Sequence, residues 1–283
     1  MQNLATQNGG TVQISVLGPL SVTIDGVSVT PTAPKPRHVL SLLAIHANRV
    51  VQNEAIIEEL WEDNPPTSVT TTLQTYIYQL RKGLRLPAAP TVDRVGTGRA
   101  GGLRTFAGGY MLSLQPEQLD ALRFERLTAR GRLELESGEM ARASRTLCEA
   151  LDHWRGPALV DVSVGPILRS EILRLEELRK SALELRIDAD LHLGRHHALL
   201  GELMGITAQQ PTHEVFQAKL MLALYRAGRR SDALHAYQQA RAALVNELGV
   251  DPGGELQGLH RRILAGDPAL SSPGGPPRSF AIR

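Results

Sequence analysis

The pattern of the chain changes at about Asp120, and that change constrains the fold more than any other feature. Upstream, short runs of alternating apolar and polar residues and short helical stretches are cut by Gly and Pro. Downstream, as far as about Ala265, almost every residue is a helix former and β-branched runs are nearly absent. Two domains of different class are therefore expected, a mixed α+β one over 12–115 and an all-helical one over 120–266. A length of 283 residues gives each enough chain to bury a core.

In the first part, TVQISVLGPLSVTIDGVSVT alternates in short runs broken by Gly18-Pro19 and Asp25-Gly26, which reads as two or three antiparallel strands. Pro34 and Pro36 restart the chain into RHVLSLLAIHAN, where Val39, Leu42, Leu43 and Ala47 recur at helical spacing. After an extended RVV, Asn53 is placed to cap EAIIEELW, a second helix. Pro65-Pro66, with Thr67 or Ser68 as cap, leads into a third. VDRV, LRTF and YMLSL follow as strands, the last two joined around Ala107-Gly108-Gly109. Strands, three helices and a terminal hairpin describe a winged helix-turn-helix, whose third helix enters the DNA major groove and whose wing touches the adjacent backbone.

That third helix, TTLQTYIYQLRKGL, has two unlike faces. At about 100° per residue, Leu73, Ile77, Leu80 and Leu84 share an arc of about 60°. Opposite them stand Thr71, Thr75, Tyr78 and Lys82, with Gln74, Gln79, Arg81 and Arg85 on the shoulders. Hydroxyls, amides and cations of medium reach suit base edges and phosphates. A solvated amphipathic helix is the competing reading.

Charge supports the first of these. The net charge of +2 says little, but from Ile77 to Arg104 the chain carries Arg81, Lys82, Arg85, Arg94, Arg99 and Arg104 against Asp93 alone. Glu54, Glu58, Glu59, Glu62 and Asp63 gather just before the third helix. A small domain that is basic on one side fits an anionic polymer there. The acidic second helix then faces away from DNA, and Glu58, Glu59 and Glu62 become candidates for a polymerase subunit, with a solvated face as the alternative.

With 42% hydrophobic and 21% charged residues the chain is of globular composition. No segment reaches 18 consecutive apolar residues, and MQNLATQNGG is no signal peptide, so the protein is expected in the cytoplasm, at the nucleoid, with no membrane partner. Cys148, the single cysteine, is expected as a small core residue.

In the helical part Gly138, Gly194 and Gly228 each precede a small or apolar residue, Ala143, Leu199 and Ala233, by five positions. The last two glycines are 34 apart, the period of a tetratricopeptide repeat, while the first interval is 56. HWRGPALVDVSVGPIL reads as an insertion in that array. Residues 1–11 and the Pro- and Gly-rich stretch 267–283 are expected to be disordered.

The stretches LGPLSVTIDG, ANRVVQNEAIIEELWEDNPPTSVTTTLQTYIYQLRKGL, LDHWRGPAL and LMLALYRAGRRSDALHAYQQARAALVNELGVDPGGELQGLHRRIL resemble, in order, the Streptomyces antibiotic regulatory protein family. The resemblance covers about residues 12–266. It implies a response-regulator-type winged-helix DNA-binding domain followed by a bacterial transcriptional activation domain of tetratricopeptide-like helices. It further implies an activator of secondary-metabolite genes that binds direct repeats near the −35 element, beside a second copy of itself, and recruits RNA polymerase holoenzyme through its sigma and core subunits. Carried onto this chain, the DNA-facing positions of the reading helix are Thr71, Thr75, Tyr78, Gln79, Arg81 and Lys82, and the wing contacts are Arg104 and Thr105. Arg85 and Arg94 add phosphate attraction. The connection between Leu84 and Leu103 departs from the family by being longer and richer in glycine.

Within it, GTGRAG matches G-x-G-x-x-G but leads into the strand-like GLRTF, whereas a dinucleotide site needs the motif to open a helix. His196-His197 would point about 100° apart on a helix, with no third ligand at metal spacing. No nucleophile motif appears, and Trp61 and Trp154 sit in apolar periodicity. No enzyme, cofactor or metal is expected. Two other readings stand beside the activator: a tetratricopeptide-like adaptor whose first domain binds protein, and an enzyme using GTGRAG.

Overall fold

The computed structural model describes residues 12–84 and 102–271. Residues 1–11, 272–283, the strand expected at VDRV and the GTGRAG motif lie outside the described residues. Two compact units divide the chain: Met1–Leu127 with Glu149–Lys180, and Thr128–Cys148 with Ser181–Arg283. The division does not follow the boundary near 115–120 drawn from composition.

In the first unit β1 (Val12–Ser15), β2 (Ser21–Ile24) and β3 (Val27–Ser28) form an antiparallel sheet in that order, with Ile14 opposite Val22. The β2–β3 turn is Asp25-Gly26 with φ of 50° and 81°, the positive pair that a two-residue hairpin needs. Next come α1 (Pro34–Ile45), β4 (Val51–Gln52), α2 (Asn53–Trp61) and α3 (Val69–Gly83), then β5 (Gly102–Phe106) and β6 (Gly109–Ser113). The second sheet has the order β4-β6-β5, and Gly108 turns the hairpin at φ 80°. This is the winged helix-turn-helix. Prolines in the first turn of α1 forfeit nothing, because those amides have no helical partner. Asn53 is the first residue of α2 rather than its cap; Gln52 and Ser68 stand at the cap positions of α2 and α3, and neither side chain caps.

What joins residues 149–180 to this unit is a set of backbone groups met by distant side chains. The Asp120 carboxylate, itself within 12–127, accepts the amides of Val16 and Leu17 at 2.8 and 3.0 Å and reaches the segment through Arg155 Nη2 at 3.7 Å. Asp161 accepts the Leu20 amide at 2.8 Å and pairs with Arg37. The Arg155 amide donates to the Leu17 carbonyl and the Leu159 amide to that of Gly18, both at 2.8 Å. The apparent insertion HWRGPALVDVSVGPIL is thus the strap that completes the backbone pairing beyond β1.

The deepest of these ties centres on Glu59, only 2% exposed. Its Oε1 accepts from the Gly165 amide at 2.7 Å and bonds His38 Nε2 at 2.8 Å. Its Oε2 accepts the amides of Ile167 at 2.7 Å and Leu168 at 3.3 Å. These are the first donors of α6 (Pro166–His192), and Pro166 has none to offer. One carboxylate therefore satisfies the start of the helix and lies on the positive end of its dipole. Gly165 is required there, since a Cβ would stand 2.3 Å from the Glu59 carbonyl oxygen. Burial pushes the Glu59 carboxyl up, but the bonds from His38 and from the amides of Ile167, Gly165 and Leu168 outweigh it and hold the pKa below the ordinary glutamate value.

The second unit holds the rest of α4 (Asp120–Glu136), α5 (Met140–Leu151) and α6, with α7 (His196–Gln209), α8 (Glu214–Arg226), α9 (Arg230–Leu248) and α10 (Gly254–Ala265). Gly138, Gly194 and Gly228 each stand two residues beyond a helix, at φ of 78°, 74° and 75°. At each, the glycine amide and the next one reach back to the carbonyls three and five residues earlier, as in Gly228 to Tyr225 and Arg229 to Leu224. The residues five positions on, Ala143, Leu199 and Ala233, are buried. Leu203, Phe216, Met221, Ala240 and Ile263 belong to the core of α7–α10. Cys148 is exposed, contrary to the expectation of a core thiol: the buried stripe of α5 is Ala143, Leu147 and Ala150, and Cys148 lies about 100° from Leu147. Residues 267–271, expected within a disordered stretch, have a defined conformation. Pro268–Leu270 makes a 3-10 turn capped by Asp267, and Leu270 is buried against α8 and its neighbours.

Glu59→Ala is expected to lower unfolding free energy by about 3–5 kcal/mol in urea titrations, because three amides lose a buried acceptor. The folded state favours the ionised carboxylate, so its contribution is complete above the ordinary glutamate pKa and fades as pH falls through the lowered one. The variant should lack this part of the acid dependence.

Candidate nucleic-acid interface

Helix α3 is positioned by its apolar stripe. Leu73, Ile77, Leu80 and Leu84 are each 1–2% exposed, and the helix packs on α1. The angular reading of the sequence is reproduced residue for residue on this side. Arg81 and Lys82 occupy the last turn, where positive charge complements the helix dipole.

On the other side Thr71, Gln74, Thr75, Tyr78, Gln79 and Lys82 are all exposed. Tyr78 leaves 64% of its surface open, unusual for an aromatic ring unless something else covers it. The Thr75 hydroxyl donates to the Thr71 carbonyl at 2.9 Å, and that of Thr72 to Ser68 at 3.0 Å. With its proton committed inside the helix, Thr75 has oxygen lone pairs and a methyl group to offer a ligand. A base edge presents partners for both, namely the exocyclic amino groups and the thymine methyl.

Arg81 is placed differently from the expectation. Its Nε and Nη2 donate to the Leu103 carbonyl at 3.2 and 3.0 Å, and Nη2 also to Thr105 Oγ1 at 2.7 Å. Two of the three guanidinium nitrogens that sequence reading gave to DNA are engaged on β5, and the Thr105 hydroxyl accepts from one of them. The warning was in the helical angle: Arg81 lies about 80° from Leu73, nearer the stripe than the outer face. Arg104 is half-exposed on the same strand. Arg85 and Arg94 lie outside the described residues.

Of the acidic candidates, Glu58 and Glu62 are exposed. Glu59 is withdrawn from that set, because its carboxylate is buried on the amides of α6 and presents nothing to a partner. Glu62 closes α2 with a positive φ of 48°, uncommon for a residue with a side chain. Trp61 is half-exposed and stacks on Tyr76 at 6.3 Å, with Lys35 Nζ 5.5 Å from its ring centre. Trp154 is buried edge-on to Phe124 at 5.5 Å. His196 and His197 lie ring to ring at 4.6 Å, and among the described residues no group of three or more His, Cys, Asp or Glu could hold a metal. Among those residues no helix is long and apolar enough to cross a membrane.

Residues 119–264 match the family described as bacterial transcriptional activator domain, and residues 28–103 the family described as transcriptional regulatory protein, C terminal. The chain is 47% identical to the regulatory protein DnrI of Streptomyces peucetius, over 93% of this chain and 96% of that one. It is 40% identical to the transcriptional regulator RedD of Streptomyces coelicolor, over 94% and 74% of the two lengths. Among solved structures, Mycobacterium tuberculosis EmbR in complex with a low affinity phosphopeptide superposes with a TM-score of 0.81 at 34% identity, covering 92% of this chain and 66% of that chain.

The two faces of α3 should separate in stability measurements. Ile77→Ala is expected to cost about 2–5 kcal/mol in urea unfolding. Tyr78→Ala should stay within about 0.5 kcal/mol of the parent, as surface changes do; a large loss there would mean that Tyr78 is covered.

Proposed function

The chain belongs to the Streptomyces antibiotic regulatory protein family of transcriptional regulators, and we propose that it activates a secondary-metabolite gene cluster by binding direct repeats near the −35 element and recruiting RNA polymerase holoenzyme. Its relatives are regulators and not enzymes. The observation that carries the proposal is the uncovered row Thr71, Thr75, Tyr78, Gln79 and Lys82, standing directly over a stripe sunk in the core.

In this reading α3 lies in the major groove and the β5–β6 wing meets the neighbouring backbone. Lys82 and Arg104, with Arg85 and Arg94, supply phosphate attraction that weakens with salt, while Thr75, Tyr78 and Gln79 discriminate sequence. A second copy occupies the adjacent repeat. The exposed acids Glu58 and Glu62 meet a basic surface of the polymerase. The protein acts in the cytoplasm, at the nucleoid.

Footprinting on genomic fragments tests the proposal and names the operator. Lys82→Ala is expected to weaken every site by a similar factor and to reduce the slope of log affinity against log salt by about 1. Gln79→Ala should relax preference at one base position, at about 1–3 kcal/mol. If both changes cost the same on every sequence, this division of roles is wrong. An absence of any salt-dependent complex with random DNA would instead favour a protein-binding adaptor. Reversing the charges of Glu58 and Glu62 should lower transcription in a reconstituted assay and leave DNA affinity unchanged.

A further inference from the structure

We infer that Arg81 is a positioning residue of the DNA-binding surface: its guanidinium ties the wing strand β5 to the end of the reading helix and so fixes where the wing meets the duplex. The inference rests on the DNA-reading assignment of α3 for its consequence, though not for its geometry. Arg81 and Leu103 are 22 residues apart, and closing a chain segment of that length fixes no orientation by itself. The hairpin must therefore be placed by contacts. β6 is held from one side by β4 and by α1. β5 has β6 as its single strand partner among the described residues, which leaves its other side as the sheet edge there.

Arg81 serves that strand with a fork. Two of its nitrogens converge on the Leu103 carbonyl, and Nη2 adds the Thr105 hydroxyl, so the strand is gripped at two residues on either side of Arg104. A planar donor array in this arrangement sets distance and direction together. Lysine carries the same charge on a single ammonium and cannot reproduce it. The helix side of the tie is equally fixed, since Arg81 follows the buried Leu80 and precedes the buried Leu84 by three residues. The spacing between major-groove reading by α3 and backbone contact by Arg104 is then a property of the free protein rather than something assembled on DNA.

The test compares Arg81→Ala, Arg81→Lys and Thr105→Val in the full chain. Without DNA, amide exchange over 102–106 is expected to accelerate on the order of 10- to 100-fold in Arg81→Ala and to remain fast in Arg81→Lys, with the thermal midpoint nearly unchanged. Thr105→Val, which removes no charge, should accelerate it less. On DNA, hydroxyl-radical protection should be lost at the wing-contacted backbone and kept where α3 lies, and the Arg81 and Thr105 changes should be non-additive in affinity. Unchanged exchange at 102–106, together with full rescue of binding by lysine, would overturn the inference in favour of a direct phosphate contact. Should Arg81→Ala unfold the chain, the exchange and additivity of Thr105→Val decide in its place. If the unaltered protein binds no DNA, the functional reading fails while the exchange data still decide the tie.

Discussion

A single carboxylate, that of Glu59, sits where three amides at the start of a 27-residue helix would otherwise be buried without an acceptor. An unmet buried donor costs about 1–3 kcal/mol, so this placement decides whether α6 can begin where it does. It also decides what α2 can be. A helix whose sequence looks like a solvated acidic face is pinned through one of its glutamates, and the helix-turn-helix is assembled around that fixed member. Asp120 and Asp161 repeat the device at the other side of the unit, each taking backbone amides near β1.

This explains which parts of the fold were legible in the sequence. Much that depends on local spacing could be read: the stripe of α3, the Asp25-Gly26 hairpin, the wing and the three glycine-terminated helices. Glu59, Asp120 and Asp161 could not, because their partners lie more than 100 residues away and a carboxylate on a helix has the same local signature whether it faces water or an amide. The apparent insertion between two helical repeats was visible only as an irregularity, although it is the segment that joins the unit together. Cys148 and Leu270 were misplaced for a simpler reason, a stripe boundary one residue off and a short buried turn hidden in Pro-rich composition.

The candidate interface shows the same division. Five of its exposed positions follow from helical angle alone. For Arg81 the angle was only a hint, because guanidinium groups near a proposed binding face look alike in sequence whether they meet a phosphate or a carbonyl of the same chain. Geometry separates the two: a cation whose donors are engaged by backbone is part of the scaffold that presents its neighbours. The candidate surface therefore combines side chains open to a ligand with at least one whose donors turn back to its own chain.

The strap at 153–168 has a consequence for synthesis. Residues 12–84 leave the ribosome long before Gly165, and until then Glu59, Leu20 and the carbonyls beyond β1 have no partners from that segment. The N-terminal half is thus complete only after more than half of the polypeptide has been translated. A message broken or a ribosome stalled before that point yields a chain whose promoter-binding half is unfinished.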